Sequence, residues 1–258
     1  MFRFRIKKCA KIFHYCYPYS RVSWLKLIYN SLHFINLANM KRYVCLFILV
    51  FMTACNGNKK QVVFLGDSIT QSGRTLEFGF INLLEESVDS EKFNLIGKGV
   101  SGDKVSDLLV RYENDVLAQN PDIVFIYIGI NDVWHTYDLG KGSDIDFYEK
   151  GLRKIIADIK RRGSKIVLCT PTVIGESLTF EDELESKRDR ELDAFSGVVR
   201  NLSSEFNTEL LDLRTIFKDY LIENNKNNSY QDFLTNDGVH LNEAGNKLVA
   251  DNMLNFIN

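Results

Sequence analysis

"QVVFLGDSIT", residues 61–70, is the stretch on which the fold turns. Val62, Val63, Phe64 and Leu65 form an apolar run with no polar alternation, the mark of a strand buried on both faces by helices covering a parallel sheet. Gly66-Asp67-Ser68 then breaks the run with residues that suit a turn and a helix N-cap. Ser68 therefore falls where a parallel strand hands over to its helix. In open α/β sheets the ligand crevice lies outside the carboxyl ends of the strands, so a hydroxyl at this point is placed for chemistry.

Outward from this stretch the pattern repeats. Strand-length apolar runs recur at "FNLIG" (93–97), "DIVFIYIG" (122–129), "KIVLCTP" (165–171) and "TELLDL" (208–213). Between them, apolar residues recur at helical spacing, as in Phe80, Leu83 and Leu84, or Ile155, Ile156 and Ile159. The alternation predicts an α/β protein: a three-layer α/β/α sandwich around a five-stranded parallel sheet, flavodoxin-like in the order 2-1-3-4-5. One domain is expected over 61–258, closed by a helix from Asn242 to Ile257.

The front of the chain has a different composition. Residues 1–54 hold nine Lys or Arg and no Asp or Glu, which leaves 23 basic against 34 acidic residues in the rest. An acidic body argues against nucleic acid as a partner, since phosphate contacts need a basic face. "MKRYVCLFILVFMTAC", Met40 to Cys55, reads as an export signal: Lys41 and Arg42, an apolar core from Tyr43 to Met52, then small Thr53 and Ala54 before a cysteine. The apolar core is shorter than the roughly 20 residues a spanning helix requires. The ending Met-Thr-Ala-Cys resembles the lipobox of bacterial lipoproteins, which implies a signal peptide at 40–54, lipid on Cys55, a tether over 55–60 and attachment to the cell envelope. Residues 1–39 precede this complete signal and read as a mis-assigned or disordered extension. Of the five cysteines, Cys9, Cys16 and Cys45 fall ahead of the cleavage point, and Cys169 sits alone in an apolar strand, where a buried, inert thiol is expected.

Four polar groups follow from the strand pattern. The first three strands end in Gly66-Asp67-Ser68, Gly97-Lys98-Gly99 and Gly129-Ile130-Asn131-Asp132, which a parallel sheet brings to one edge. Near the C-terminus, Asp237-x-x-His240 supplies what a serine nucleophile lacks. Three residues apart on a turn, the carboxylate can accept from Nδ1–H while Nε2 faces the serine. Only His135 and His240 stand behind the signal, so the choice of base is short. The backbone N–H groups of Ser68 and Gly99 and the side-chain amide of Asn131 are the natural donors for an oxyanion hole. Gly99 suits such a loop because backbone without Cβ can approach a substrate closely. Asp67 and Asp132 are expected to fix the loops by accepting backbone N–H bonds.

Two features point elsewhere. "GKGVSG", Gly97 to Gly102, has the form of a dinucleotide fingerprint, but the acidic residue due at the end of the next strand is missing, and no cofactor is expected. Zinc-ligand spacings and a P-loop are absent from the sequence, so no metal is expected. Trp134 and His135 follow the third polar block; they are candidates for a sugar or acyl subsite, with packing beneath the loop as the alternative for Trp134. The stretch from Gly175 to Asp193 reads as a solvated loop and helix start.

Taken in order, Gly66-Asp67-Ser68-Ile69-Thr70, Gly99, Gly129-Ile130-Asn131-Asp132 and Asp237-Gly238-Val239-His240 resemble the four blocks of the SGNH hydrolases, also called the GDSL esterases and lipases. The resemblance implies Ser68 as nucleophile, His240 as general base and acid, Asp237 as its partner, oxyanion donors from Ser68, Gly99 and Asn131, and no metal. Two departures stand out: Gly97 occupies a position that often holds Asn, and Ile69 stands where the family name has leucine. The expected activity is hydrolysis of acyl esters, with O-acetyl groups on carbohydrate foremost. A lysophospholipase or thioesterase, and a non-catalytic glycan-binding lipoprotein, remain as alternatives. Oligomeric state is left open.

Overall fold

The computed structural model describes residues 59–257. Five strands form one parallel sheet: β1 (Lys60–Gly66), β2 (Phe93–Gly99), β3 (Ile123–Tyr127), β4 (Lys165–Cys169) and β5 (Glu209–Leu211), in the order β2-β1-β3-β4-β5. Eight α-helices accompany them among the described residues: α1 (Ser68–Thr75), α2 (Phe80–Ser87), α3 (Val105–Asp115), α4 (Ile130–Asp138), α5 (Ile145–Arg161), α6 (Glu183–Phe206), α7 (Leu213–Asn224) and α8 (Glu243–Met253). On one side α2 packs against α1 and α8; on the other α3 packs on α5, and α6 on α4 and α5. The layers are those the alternating pattern predicts. The export signal at 40–54, Cys55 and the extension 1–39 lie outside the described residues.

The apolar runs are buried as their lack of alternation requires. Val62, Val63, Leu65, Val124 and Phe125 have no exposed surface, and Phe64 stacks on Phe125 of the neighbouring strand with ring centroids 4.8 Å apart. Burying one such side chain contributes about 1.5–3 kcal/mol. Ile155, Ile156 and Ile159 line the inner face of α5, and Phe80 and Leu84 that of α2. Cys169 is buried in β4, where loss of water pushes its thiol up, as fits a packing residue. No described helix is long and apolar enough to cross a membrane.

Three strands, β3, β4 and β5, stop short of their apolar runs. β4 ends at Cys169, two residues before Pro171, which has no N–H to give a ladder. β5 ends at Leu211 because Asp212 caps α7, its carboxylate accepting from Thr215 N at 3.3 Å. The closing helix spans Glu243–Met253, with Asn242 as its N-cap and a short 3-10 turn at Leu254–Phe256. Register matters most for function. Gly66 pairs with Gly99 on one side and Tyr127 on the other, so β1, β2 and β3 end level along one edge.

Candidate active site

Ser68 is the first residue of α1 and is half-buried. Asp67 caps the helix by accepting from Ile69 N at 3.0 Å, as the N-cap reading requires. As the first residue of the helix, Ser68 has no intrahelical acceptor for its own N–H. Gly66 is required by space: a Cβ there would come within 2.2 Å of Thr70 Oγ1 and 2.4 Å of the Tyr127 carbonyl. Asp67 is buried, and burial pushes its carboxyl up to about 7, with the neighbouring Asp132 carboxylate adding to the shift.

Asp237 and His240 sit in the stretch between α7 and α8, residues 225–242, which has no helix or strand beyond a single antiparallel bridge from Thr235 to Leu241. Asp237 Oδ1 accepts from Val239 N at 3.0 Å and His240 N at 2.7 Å, which folds the turn back on itself. Its Oδ2 lies 2.7 Å from His240 Nδ1, and His240 Nε2 lies 3.0 Å from Ser68 Oγ. Partial burial raises the Asp237 carboxyl, but its hydrogen bonds with His240 and Val239 outweigh that and hold it below the usual range. An ionised Asp237 can only accept, so Nδ1 carries the proton and Nε2 is left as acceptor for the Ser68 hydroxyl.

The three oxyanion candidates follow the ends of three adjacent strands, β1, β2 and β3. Asn131 lies in the first turn of α4, not in the preceding loop, and is buried. Its Nδ2 donates to the Asp103 carbonyl at 3.0 Å, which fixes the amide while leaving a second N–H on the same nitrogen. Gly99 stands at the end of β2. A Cβ there would meet Gln71 N at 2.1 Å and the Asp67 carbonyl at 2.6 Å, so its absence lets β2 press against the first turn of α1. At Gly97 the space is filled by the stem of Arg74, whose Cβ would lie 3.0 Å from an added Cβ.

Arg111, on α3, ties these pieces together and was not legible as a site residue. Its guanidinium donates to the Gly66 carbonyl at 2.8 Å, the Lys98 carbonyl at 3.0 Å, Asp103 at 2.6 Å and Asp115 at 2.7 Å. One planar fork thus spans the residues directly before Asp67 and Gly99 and the segment that holds Asn131. Asp132 accepts from Val105 N at 3.1 Å, and burial pushes its carboxyl up to about 6.

Trp134 is partly buried against the core and also meets His240 edge-on, with ring centroids 6.2 Å apart. The packing expected for it is present. His135 lies beside Gly102, and partial burial with the Lys104 charge lowers its imidazole. Tyr230, unmarked by any motif, lays its ring over Gly175 and Gly238, both at positive φ (85° and 86°). A Cβ at Gly238 would lie 2.4 Å from that ring, so the turn bearing His240 depends on glycine there. Among the described residues no cluster of His, Cys, Asp or Glu is arranged to hold a metal ion.

With this geometry in place, the comparison with known families decides the relationship. The profile of the GDSL-like lipase/acylhydrolase family matches residues 64–248. The chain belongs to that family. It is an enzyme, a carboxylic ester hydrolase. It is 32% identical over 212 residues to an acetylxylan esterase of Geobacillus stearothermophilus, covering 75% of this chain and 92% of that protein. It is 24% identical over 196 residues to an uncharacterized lipoprotein, YqeF, of Bacillus subtilis strain 168, covering 67% of this chain and 79% of the other. Among solved structures, an acetyl xylan esterase, AlAXEase, superposes with a TM-score of 0.72 at 39% identity, covering 77% of this chain and all of its own.

Proposed function

We propose that the protein removes O-acetyl groups from carbohydrate through a Ser68-His240-Asp237 triad. The observation that carries this reading is the unbroken line of contacts from Asp237 Oδ2 to His240 Nδ1 at 2.7 Å and from His240 Nε2 to Ser68 Oγ at 3.0 Å. His240 takes the proton as Ser68 Oγ attacks the ester carbonyl. The tetrahedral oxyanion is stabilised by the N–H groups of Ser68 and Gly99 and the Asn131 amide. As the C–O bond breaks, His240 returns the proton to the departing sugar hydroxyl, leaving an acetyl-serine. Water, deprotonated by the same imidazole, then releases acetate and restores Ser68.

The carbohydrate acceptor and the acetyl group are supported by relatives named as acetylxylan esterases that share 32% and 39% of their residues with this chain. Trp134, beside His240, offers a ring face for a sugar, and His135 borders the same edge. The test is a panel of nitrophenyl esters of rising chain length, acetylated xylo-oligosaccharides and a lysophospholipid, run on the full chain and on Ser68→Ala. Acetate release from the oligosaccharides, with loss of on the order of 10⁴-fold or more in Ser68→Ala, is the expected result. Preference for long acyl chains would assign a lysophospholipase or thioesterase. Full turnover in Ser68→Ala would remove the triad.

Cys55 is proposed as the lipid attachment point and the cell envelope as the location, supported by the Met-Thr-Ala-Cys ending and the similarity to a lipoprotein. A single acyl chain binds membranes only marginally, so stable attachment needs the two or more chains of a lipidated cysteine. Cys55→Ser in a bacterial host should move the protein from the membrane to the soluble fraction; identical fractionation of the two forms would refute the assignment.

A further inference from the structure

The stretch that carries Asp237 and His240 has almost no regular structure of its own, yet His240 is held within hydrogen-bond distance of Ser68. Its backbone donors must be satisfied from outside it. Three consecutive ones, Phe233 N, Leu234 N and Thr235 N, converge on the carboxylate of Glu176, at 2.8, 2.6 and 2.6 Å. The Thr235 hydroxyl adds a fourth bond at 2.8 Å. Glu176 comes from the loop after β4 and has no exposed surface, and neither have Leu234 and Thr235.

The polarity of this cluster runs on to the catalytic turn. Because the carboxylate can only accept, Thr235 Oγ1 must give its proton to Glu176, which leaves the oxygen to accept from Gly238 N at 3.1 Å. Gly238 is the residue after Asp237. The same loop adds Gly175 N to the Gly238 carbonyl at 2.8 Å and Glu176 N to the Tyr230 carbonyl at 2.7 Å. Asn225 closes the far end, donating to the Glu176 carbonyl at 2.8 Å.

We infer that Glu176 is a positioning residue for the acid–base half of the site, its carboxylate fixing Phe233 to Thr235 and, through the Thr235 hydroxyl, the turn that aims His240 at Ser68. This rests on the Ser68-His240-Asp237 reading given above. A neutral amide in the same place has one acceptor oxygen and two donors, so it sets an N–H against an N–H and loosens the turn without emptying the space. Glu176 touches neither substrate nor reacting atoms; its effect reaches the chemistry only through the placement of His240.

The test measures, on the full chain at 25 °C, kcat and KM for nitrophenyl acetate and the rate at which an uncharged phosphonate ester labels Ser68. Glu176→Gln is expected to lower kcat and the labelling rate together by roughly tenfold or more, with KM changed less than threefold. A role in stability alone would lower the melting temperature and leave both rates of the folded protein unchanged, which would overturn the inference. If Glu176→Gln does not fold, the pair Thr235→Val and Thr235→Ser decides. Loss of rate in the valine variant with recovery in the serine variant, which keeps the hydroxyl, supports the inference, and an unimpaired valine variant overturns it. Ser68→Ala is run beside them. Activity persisting there would refute the triad itself, an outcome distinct from wild-type rates in the Glu176 and Thr235 variants.

Discussion

Ser68 Oγ and His240 Nε2 lie 3.0 Å apart although 172 positions of chain separate them. They reach one another from unlike supports. Ser68 is fixed by a strand end and a helix start, the most regular part of the fold, whereas His240 hangs from an irregular turn held by its own Asp237. The proposed chemistry depends on both, and each support can be weakened separately.

Asp237→Asn should lower kcat by about 10³-fold or more while the fold stays intact. The amide oxygen can still accept from Val239 N and His240 N, so the turn survives. An amide N–H facing Nδ1 selects the other tautomer and puts a proton on Nε2, where an acceptor is needed. Steady-state kinetics with circular dichroism checks this; a variant within tenfold of wild type would show that Asp237 does not set the tautomer.

Asn131→Ala should cost about 10² to 10³ in kcat with little change in KM, the mark of a donor used mainly in the transition state. The same change frees the Asp103 carbonyl, so a small loss of stability accompanies it. Asn131→Asp keeps the shape, removes the donor and should be at least as slow.

Arg111→Lys should destabilise the fold by about 1–3 kcal/mol, because a single ammonium cannot span the four acceptors of the guanidinium fork. For a chain of this size that lowers Tm by roughly 2–10 °C. Calorimetry gives the stability, and a parallel drop in kcat at 25 °C tests whether Arg111 also sets the spacing of the oxyanion donors.

Burial pushes the Asp67 carboxyl up to about 7 from an ordinary 3.8. With the folded value raised, the native chain binds more protons than the unfolded chain between these limits. The slope of stability with pH from this group is therefore negative. Its contribution is fully present below about 4 and is lost as pH rises towards 7. Asp67→Asn keeps an acceptor for Ile69 N and removes the titration. The melting temperature of the variant relative to wild type should rise between pH 4 and pH 8, and a constant difference would mean that the carboxyl ionises normally in the fold.

Much of this was legible in local sequence because it follows from local physics. Unalternating apolar runs require burial on both faces, and that alone gives the parallel sheet and the level ends of β1, β2 and β3. Asp237 and His240 were legible as a pair because their contact spans a single turn. Glu176 was not. The stretch around it reads as solvated loop, and its role exists only because Phe233 to Thr235 arrive from more than fifty residues away. The one local hint is a carboxylate two residues after the buried pair Val173 and Ile174. Arg111 was hidden for a like reason, since two of its four acceptors are backbone carbonyls, which no residue type advertises. At Gly99 the fold supplies a reason for glycine that local sequence does not show: packing against the first turn of α1 excludes a Cβ.

The edge contact between Trp134 and His240 also makes the site visible to light. A protonated imidazole quenches a neighbouring indole, and the chain has only one other tryptophan, Trp24. In a Trp24→Phe background the emission of Trp134 becomes an optical gauge of charge on the imidazoles beside it, and His135→Gln removes the other imidazole in ring contact with it among the described residues. The charge state of His240 could then be followed in real time through acylation and deacylation, without a chromogenic substrate and without a label.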